Sequence, residues 1–492
     1  MRLPWQPRTD AGLPAAGRIG PARLSGISEW LRSTLFLQSS SERIGWRKAV
    51  LGVLFVAAGA AASLARTSGP GALNTTWIED AGNFLQDGLH QSVLTTLTTQ
   101  MNGYYDVVPR AITAVAVAFP ITWAPGIMSG AAAAEYALMG LIVYIASGPY
   151  LRSPWLRLLV AAPAFLVPVG YTQVNNDLAT VQFVALYGLF WLLLWRPTTR
   201  AGQVCAPVVM LGATLTSILP VILAPLVAAR LIADRSKTSI AVSVCWAVGL
   251  VAQWTVQVRG MSNRSSALYT NPLWILGNYV TKAVPRAIFG ERALGGPGTN
   301  YAGSPVPLSI PNMAVHQALV WGACAIVVAV VVIALGRLTA PQWPLAVTAL
   351  LFSVLLFVGE IVDNYQVVQP RYVIAPALLL YTAIVAMLRP RGVARDASSA
   401  GKPDAVPSGD APADAASRGH LRVLAAWAPV TVFALLLAVV IGFNYRVVNN
   451  RSESPPWTAV VAAARQSCMK PGMAEYEYSH LWWHVYIPCS RV

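Results

Sequence analysis

The stretch KAVLGVLFVAAGAAASLA, residues 48–65, has no charged side chain between Lys48 and Arg66. A helix of this length approaches the ~30 Å hydrocarbon thickness of a bilayer. Mostly apolar segments of similar length recur along the 492-residue chain, in which 55% of residues are hydrophobic and 11% are charged. The predicted fold class is therefore an all-α polytopic membrane protein, because a transmembrane β-barrel would show short alternating segments instead.

Eleven segments are predicted to cross the membrane once each. They are residues 48–65, 108–127, 130–148, 155–171, 178–195, 203–229, 238–257, 314–335, 343–361, 371–388 and 422–443. Segment 203–229 is long for one crossing and contains three prolines, so a re-entrant pair of half-helices is equally compatible with it. A second irregularity near FPITWAPG, residues 119–126, would then restore the alternation of the two sides.

Orientation follows from residues 389–421, which are rich in Pro, Ala, Ser and Asp and have arginines near both ends. This composition predicts a disordered linker, and its flanking charge predicts a cytoplasmic location. Working outward puts residues 66–107, 259–312 and the tail 444–492 outside, with residues 47–388 as the main transmembrane domain. Simple alternation then leaves four arginines on the outer side, against the positive-inside rule: Arg152, Arg157, Arg196 and Arg200.

The arm formed by residues 1–46 is polar, bears arginines and is too long to be the start of a signal peptide. Apolar residues at helical spacing from Leu24 to Leu35 predict a helix on the inner membrane surface, whereas disorder is equally compatible with residues 1–22. The net charge of +15 comes mostly from Lys and Arg at the ends of apolar segments. That placement serves topology, and we predict no nucleic-acid partner.

The chain has five cysteines. Cys205, Cys245 and Cys324 lie in apolar segments, where cysteine packs as a small apolar residue. Cys468 and Cys489 lie in the tail, whose outer placement predicts a disulfide between them, with two unpaired thiols as the alternative. No pair has the spacing of metal ligands.

The first outer region contains TTWIEDAGNFLQDGLHQ, residues 75–91. Apolar residues recur every four positions from Ala81, which predicts an amphipathic helix along the membrane surface, with His90 on its polar face. Two adjacent acids, Glu79 and Asp80, open this helix. One carboxylate at a helix N-terminus is an ordinary cap, but a cap does not account for two. They are the leading candidates for chemistry.

A second candidate segment is MNGYYDVVPRAI, residues 101–112, where the chain returns to the membrane. Tyr105, Asp106 and Arg110 are its candidate substrate-binding residues. An aromatic belt with one charged pair at the interface is the alternative interpretation.

Two further candidates begin predicted spans. Arg371 and Tyr372 start one of them, and a guanidinium at headgroup level suits bidentate binding of a phosphate. Pairing of Arg371 with Asp363 or with a lipid headgroup is the alternative. Asn176 and Asp177 precede another span and have the hydrogen-bonding groups that a sugar needs, although they are also common turn formers.

The chain contains no P-loop, no nucleophile-elbow sequence and no zinc-protease motif. ATP-driven transport and zinc-dependent hydrolysis therefore have no support from motifs.

The layout resembles the GT-C superfamily of membrane glycosyltransferases, which take a sugar from a polyprenyl-phosphate carrier and act on the extracytoplasmic side. WIEDAGNFL (77–85) sits where that superfamily has its acidic motif, and GYYDVVPR (103–110) and QPRYVIAP (369–376) resemble segments of uncharacterised bacterial members. The resemblance covers residues 48–388. The order Glu-Asp departs from the Asp-Glu of the protein O-mannosyltransferases, which leaves open which acid is catalytic.

The resemblance implies an inverting sugar transfer in the bacterial cytoplasmic membrane, with the active site facing outside. Its partners would be a polyprenyl-phosphate-linked sugar and an envelope glycan, lipid or protein acceptor. Asp80 is expected to be the base, with Glu79 as the competing choice, and Arg371, followed by Arg110, is expected to stabilise the leaving phosphate. A divalent cation, Mg²⁺ or Mn²⁺, is left open, since two carboxylates are a thin ligand set.

Two other functions compete. A transporter or flippase of lipid-linked saccharides would have ionisable residues near span centres and an internal repeat. A polysaccharide polymerase or ligase would have long outer loops rich in arginine and histidine, and residues 259–312 contain arginines without histidine.

Overall fold

A computed structural model describes residues 21–38, 45–101, 103–170, 176–258, 271–294, 313–336, 338–362, 368–391, 413–446, 450–480 and 483–492. The described chain is mostly helical. The helices up to the middle of the chain are α1 Pro21–Thr34, α2 Trp46–Leu64, α3 Gln86–His90, α4 Val93–Thr98, α5 Val107–Val117, α6 Ala124–Ala146, α7 Gly148–Leu151, α8 Pro154–Ala161, α9 Pro163–Leu166, α10 Val181–Leu194, α11 Arg200–Thr216, α12 Ala224–Ala233 and α13 Lys237–Val258. The remaining helices are α14 Pro272–Asn278, α15 Val284–Phe289, α16 Glu291–Leu294, α17 Met313–Leu335, α18 Trp343–Val362, α19 Ile374–Met387, α20 Ala413–Phe443 and α21 Trp457–Cys468.

Seven helical stretches in the described residues are long and apolar enough to cross a membrane, so the chain is an α-helical membrane protein. They are Trp46–Leu64, Ile121–Ala146, Lys237–Val256, Ala314–Leu335, Trp343–Val362, Pro370–Met387 and Leu424–Phe443. Shorter apolar stretches are Val107–Val117, Pro154–Leu166, Leu178–Leu194 and Leu219–Ala233. The total of eleven crossings stays a prediction.

The structure differs from the predicted spans 108–127 and 130–148. Helix α5 ends at Val117, and α6 runs without interruption to Ala146 after a turn at Pro120. With 11 residues α5 is only about 17 Å long. It packs against the first loop, where Arg110 donates to Asp87 at 2.7 Å. The apolar sequence continues through this turn, so hydropathy alone did not predict the break between α5 and α6.

Segment 203–229 forms two helices, α11 and α12, joined by a 3₁₀ turn at Leu219–Leu223. The residues flanking the pair meet, because Arg196 donates to Asp234 at 3.3 Å. Arg230 on α12 reaches back to the carbonyls of Leu192 and Leu193 at 2.8 and 2.7 Å. The segment is therefore a helical hairpin, and whether it is a re-entrant pair stays a prediction.

The hairpin places Arg196 at the same end of the bundle as Phe36 and Asp234. Arg196 also donates to the carbonyl of Phe36, and Arg389 donates to the carbonyl of Tyr150, whose hydroxyl donates to Leu35. We call the end of the bundle defined by these residues the arm end. The opposite end, which contains Asp80, Leu178 and Arg371, is the acid end.

The N-terminal and linker segments are described only in part. Helix α1 buries Leu31 and exposes Ile27 and Trp30, the amphipathic character that the sequence predicted. Residues 1–20 lie outside the described residues. Residues 392–412 of the predicted linker also lie outside them, and α20 begins at Ala413, inside that linker.

Helices α10 and α19 form the centre of the bundle. Every residue of both helices is buried, and both are apolar on all faces. The hydroxyl groups of Tyr187 and Thr382 meet across the pair at 3.0 Å. Because α10 is enclosed along its whole length, its N-terminus is a fixed point at the acid end.

The tail adds two strands to the otherwise helical fold. Strands β1 Glu475–His480 and β2 Trp483–Pro488 pair antiparallel, with Glu475 opposite Pro488 and His480 opposite Trp483. Cys468 and Cys489 are joined by a disulfide, the pairing that the sequence predicted. The indole of Trp457 donates to the carbonyl of Ile121 at 2.8 Å, so the tail domain docks on the acid end.

The hairpin α11–α12 predicts the sidedness of two positions. In a chain whose Cys205, Cys245 and Cys324 are replaced by serine, cysteines at Ala201 and Ser236 should react with a membrane-impermeant maleimide from the same side. Both residues are exposed and flank the hairpin. A cysteine at the exposed Gln91, on the acid end, is the control and should react from the other side. Labelling of positions 201 and 236 from opposite sides would contradict the hairpin.

Candidate active site

Glu79 and Asp80 open a π-helical turn, Asp80–Leu85, which leads directly into α3. The turn buries Ala81, Phe84 and Leu85. The predicted amphipathic helix is therefore present but broken, since a new helix, α4, starts at Val93 behind the cap of Ser92. π-Helical turns are rare and concentrate at functional sites, because the extra residue per turn redirects side chains.

The carboxylate of Asp80 binds the N-terminus of the central helix α10. The backbone N–H of Leu178 lies 3.0 and 3.1 Å from its two oxygens, and the N–H of Ala179 lies 3.3 Å from Oδ1. These groups belong to the 3₁₀ turn Leu178–Thr180 that leads into α10. An unpaired helix N-terminus carries partial positive charge and favours an ionised carboxylate. Asp80 is thus an N-cap supplied from a distant part of the chain.

The buried carboxyl group of Asp177 interacts electrostatically with that of Asp80. Burial raises the pKa of both groups, and the negative charges of Asp80 and Glu79 raise that of Asp177 further, well above its ordinary range. Two neighbouring carboxyl groups in a buried site cannot both ionise without a large penalty. Since Asp80 accepts backbone N–H groups, its ionised form is favoured over that of Asp177.

Glu79 faces a cation and is the most accessible acid of the group. Its Oε1 lies 3.9 Å from Nη1 of Arg371, and the two side chains are 18% and 20% exposed. Burial raises the pKa of Glu79, Arg371 lowers it, and the charge of Asp80 raises it. The guanidinium of Arg371 lies 5.4 Å from the ring centroid of Tyr372, which packs at 5.9 Å from that of Phe183 on α10.

Arg451 is a buried guanidinium near the acids that the sequence did not single out. It lies beyond the last membrane helix and is 2% exposed. Its hydrogen-bond acceptors are the carbonyls of Ala72, Thr75 and Asn176 and the hydroxyls of Thr75 and Ser129, at 2.7–3.2 Å. Nothing in its sequence context, NNRSESPP, distinguishes it from a surface arginine.

Asn176 is fully buried and holds the backbone before Asp177. Its amide donates to the carbonyl of Ser63 at 3.0 Å and to the hydroxyl of Thr67 at 3.2 Å, and it accepts from the hydroxyl of Ser63 at 2.8 Å. Its φ of 57° is left-handed, a conformation that Asn adopts more readily than most residues. All three contacts are internal, so the geometry gives Asn176 a positioning role.

The other predicted substrate-binding residues contact other partners. Arg110 binds Asp87, with its guanidinium 5.3 Å from the ring centroid of Phe84. His90 lies 3.2 Å from Glu475 of the tail hairpin. Tyr105 contacts α13, where its N–H donates to Gln253 and its hydroxyl meets Thr255.

Asp106 is buried and precedes α5 with a φ of 53°. The structure thus brings together Glu79, Asp80, Asn176, Asp177, Arg371 and Tyr372, whereas Tyr105, Arg110 and His90 contact Gln253, Asp87 and Glu475. Within the described ranges, no three His, Cys, Asp or Glu side chains are arranged to hold a metal ion.

No protein-family model matches this sequence, and no curated protein matches it either. The chemistry of the acid end is therefore the basis on which a function can be argued.

Replacement of Asn176 by alanine should lower the free energy of unfolding by about 2–4 kcal/mol. The change removes three buried hydrogen bonds and puts alanine at a left-handed position that asparagine tolerates more readily. Thermal unfolding in detergent micelles measures the loss. Asn176→Gly is the matched control, because glycine accepts the same φ without strain and isolates the cost of the hydrogen bonds. Unfolding of Asn176→Ala at the wild-type temperature would contradict the positioning role.

Proposed function

We propose that this protein is a GT-C-type glycosyltransferase that moves a sugar from a polyprenyl-phosphate donor to a cell-envelope acceptor at the outer face of a bacterial cytoplasmic membrane. The observation that supports it best is the pair formed by Glu79 and Arg371, 3.9 Å apart and both partly exposed. The pair lies beside the buried Asp80–Asp177 couple at one end of a membrane-embedded bundle. It offers a base and a phosphate-binding cation at the depth where a lipid headgroup lies.

Glu79 is the proposed base. An acceptor hydroxyl attacks the anomeric carbon, its proton passes to the Glu79 carboxylate, and the bond between that carbon and the phosphate oxygen breaks. A base must come within hydrogen-bond reach of the proton that it takes. The Glu79 side chain is 18% exposed, whereas Asp80 is 3% exposed, so a substrate can reach Glu79 more easily. The oxygens of Asp80 already accept backbone N–H groups. This reverses the order expected from the sequence, where Asp80 came first.

Asp80 supports the base through its charge. A carboxylate next to Glu79 disfavours the ionised form of Glu79 and so raises its proton affinity. A carboxylate with a raised pKa is a stronger proton acceptor than an ordinary glutamate at neutral pH. The helix N-terminus keeps Asp80 ionised, so Asp80 is fixed in place while Glu79 remains accessible.

Arg371 is the proposed phosphate ligand. The leaving polyprenyl phosphate takes the electron pair of the broken bond, and its charge increases in the transition state. A guanidinium can bind two phosphate oxygens at once. Arg371 packs against the ring of Tyr372 in the turn directly before α19. The proposed reaction uses no metal ion.

A membrane position is itself an argument for a lipid-linked donor. Asp177 and Arg371 lie just before the apolar helices α10 and α19, and Glu79 faces Arg371. A polyprenyl chain in the hydrocarbon would bring its phosphate to that level without desolvating the sugar.

One observation favours a transporter instead. Glu135 lies near the middle of α6, Ala124–Ala146, and an ionisable residue at mid-membrane is typical of transport pathways. A flippase of lipid-linked saccharides would depend on Glu135 and tolerate changes at Glu79. Glu135→Gln and Glu79→Gln therefore separate the two functions when lipid movement and sugar transfer are both measured in vesicles.

Glu79→Gln should lower kcat for sugar transfer by about 10²-fold or more, because an amide cannot accept the acceptor's proton. The measurement uses purified protein, a polyprenyl-phosphate sugar and a membrane-envelope acceptor fraction, with transferred radiolabel as the readout. Glu475→Gln is the control, since Glu475 is an exposed glutamate of the tail hairpin whose side chain pairs with His90. Full activity in Glu79→Gln would reject Glu79 as the base.

The pH dependence of transfer is a separate prediction. A base works in its ionised form, so the rate should rise as pH increases through the pKa of Glu79. Burial raises that pKa, and the acid limb should therefore lie above the ordinary glutamate value of 4.5. Asp80→Asn removes a neighbouring negative charge and should move the limb to lower pH. A limb at or below 4.5 in the wild type, or an upward shift in Asp80→Asn, would contradict the assignment.

A further inference from the structure

We propose that Arg451 is a positioning residue of the active site, so that the tail beyond the last membrane helix completes the acid pair. The inference rests on the proposed function for its catalytic meaning. Its structural part, a tail guanidinium that holds the segments before Glu79 and Asp177 in place, stands on contacts alone.

The guanidinium joins three separate parts of the chain. Nη1 donates to the carbonyl of Asn176 at 3.0 Å, directly before Asp177. Nη2 donates to the hydroxyl of Ser129 on α6 at 2.7 Å and to the carbonyl of Thr75 at 3.0 Å, four residues before Glu79. The segments before both acid positions thus meet on one planar group, whose rigid fork fixes their relative position.

The charge of Arg451 acts on the same acids. Burial lowers the pKa of Arg451, while Asp80 and Asp177 oppose that effect. In return Arg451 lowers the pKa of both aspartates against the stronger effect of burial. The positive charge therefore favours one ionised carboxyl in a site where burial alone would neutralise both.

Few charged or titratable groups face the couple. Glu79 lies on the same turn as Asp80, and Arg371 faces Glu79 from the beginning of the last buried helix, α19. Tyr136 on α6 interacts with both aspartates and with Arg451. Among these groups, Arg451 is the cation that acts on Asp80 and Asp177.

The tail domain is anchored so that Arg451 is held in place. Six residues further on, the indole of Trp457 donates to Ile121, and the N–H of Thr458 donates to Asn74 at 3.1 Å. The hairpin reaches the helix after the acids, where Tyr486 donates to Gln86 at 2.7 Å. Glycine at position 82 permits this approach, because a Cβ there would lie 3.3 Å from the carbonyl oxygen of His484.

The test compares Arg451→Met with Arg451→Lys in the full chain, and Arg465→Met, an exposed arginine on α21, is the control. The first readout is the unfolding temperature of the detergent-solubilised protein between pH 4 and pH 9. A carboxyl whose folded pKa is raised stabilises the fold at low pH, and that stability is lost as pH rises through the folded pKa. Removing the charge of Arg451 raises these pKa values. In Arg451→Met the unfolding temperature should therefore continue to fall with rising pH to a value about one pH unit or more above that of the wild type.

Arg451→Lys keeps the charge and loses the fork. It should therefore show the wild-type pH pattern of unfolding, as should Arg465→Met. In a transfer assay both Arg451 variants should have lower kcat, about 10²-fold for methionine, because a misplaced acid pair fails to orient the reacting groups. If Arg451→Met does not fold, the lysine variant decides: its wild-type pH pattern with reduced kcat supports the proposal.

A constant decrease in unfolding temperature at every pH in Arg451→Met would show a merely structural role and overturn the proposal. Wild-type kcat in Arg451→Lys would overturn it too. The two proposals can fail separately. If the wild-type protein has no transfer activity, the proposed function fails, but the difference between wild type and Arg451→Met in the pH dependence of unfolding still tests the role of Arg451.

Discussion

The acid end depends on one electrostatic contact, the carboxylate of Asp80 against the N-terminus of α10. Both partners are buried, so water cannot satisfy the backbone N–H groups of Leu178 and Ala179 or the charge of Asp80. Because α10 is enclosed along its whole length, the contact fixes the first loop against the centre of the bundle. Glu79 directly precedes Asp80, so fixing Asp80 also places Glu79 opposite Arg371.

The contrast between Glu79 and Asp80 shows how adjacent acids acquire different properties. Asp80 is buried and held by backbone donors, whereas Glu79 stays partly exposed beside a guanidinium. A π-helical turn starts between them and separates their directions. One acid is thus available to a substrate, and its neighbour sets the electrostatics around it.

The sequence predicted the membrane class, the acidic stretch, Arg371 and the pairing of Cys468 with Cys489, because each has a local signal. Hydropathy could not separate α5 from α6, since the turn at Pro120 lies within continuous apolar sequence. The partnership of Asp80 with Asp177 and the role of Arg451 had no such signal. Asp177 and Arg451 lie 97 and 371 positions after Asp80 in the chain. They come close to Asp80 only through the packing of α6, α10 and the tail.

The placement of Arg451 has a consequence for biosynthesis. The residue follows every membrane helix in the chain, yet its hydrogen-bond acceptors begin at Ala72, in the first loop to be made. A ribosome must finish the whole bundle, and the insertion machinery must deliver the tail to the same face, before the aspartates gain this cation. The acids of the first loop therefore wait for the tail, and a truncated or misinserted chain would leave the site unassembled.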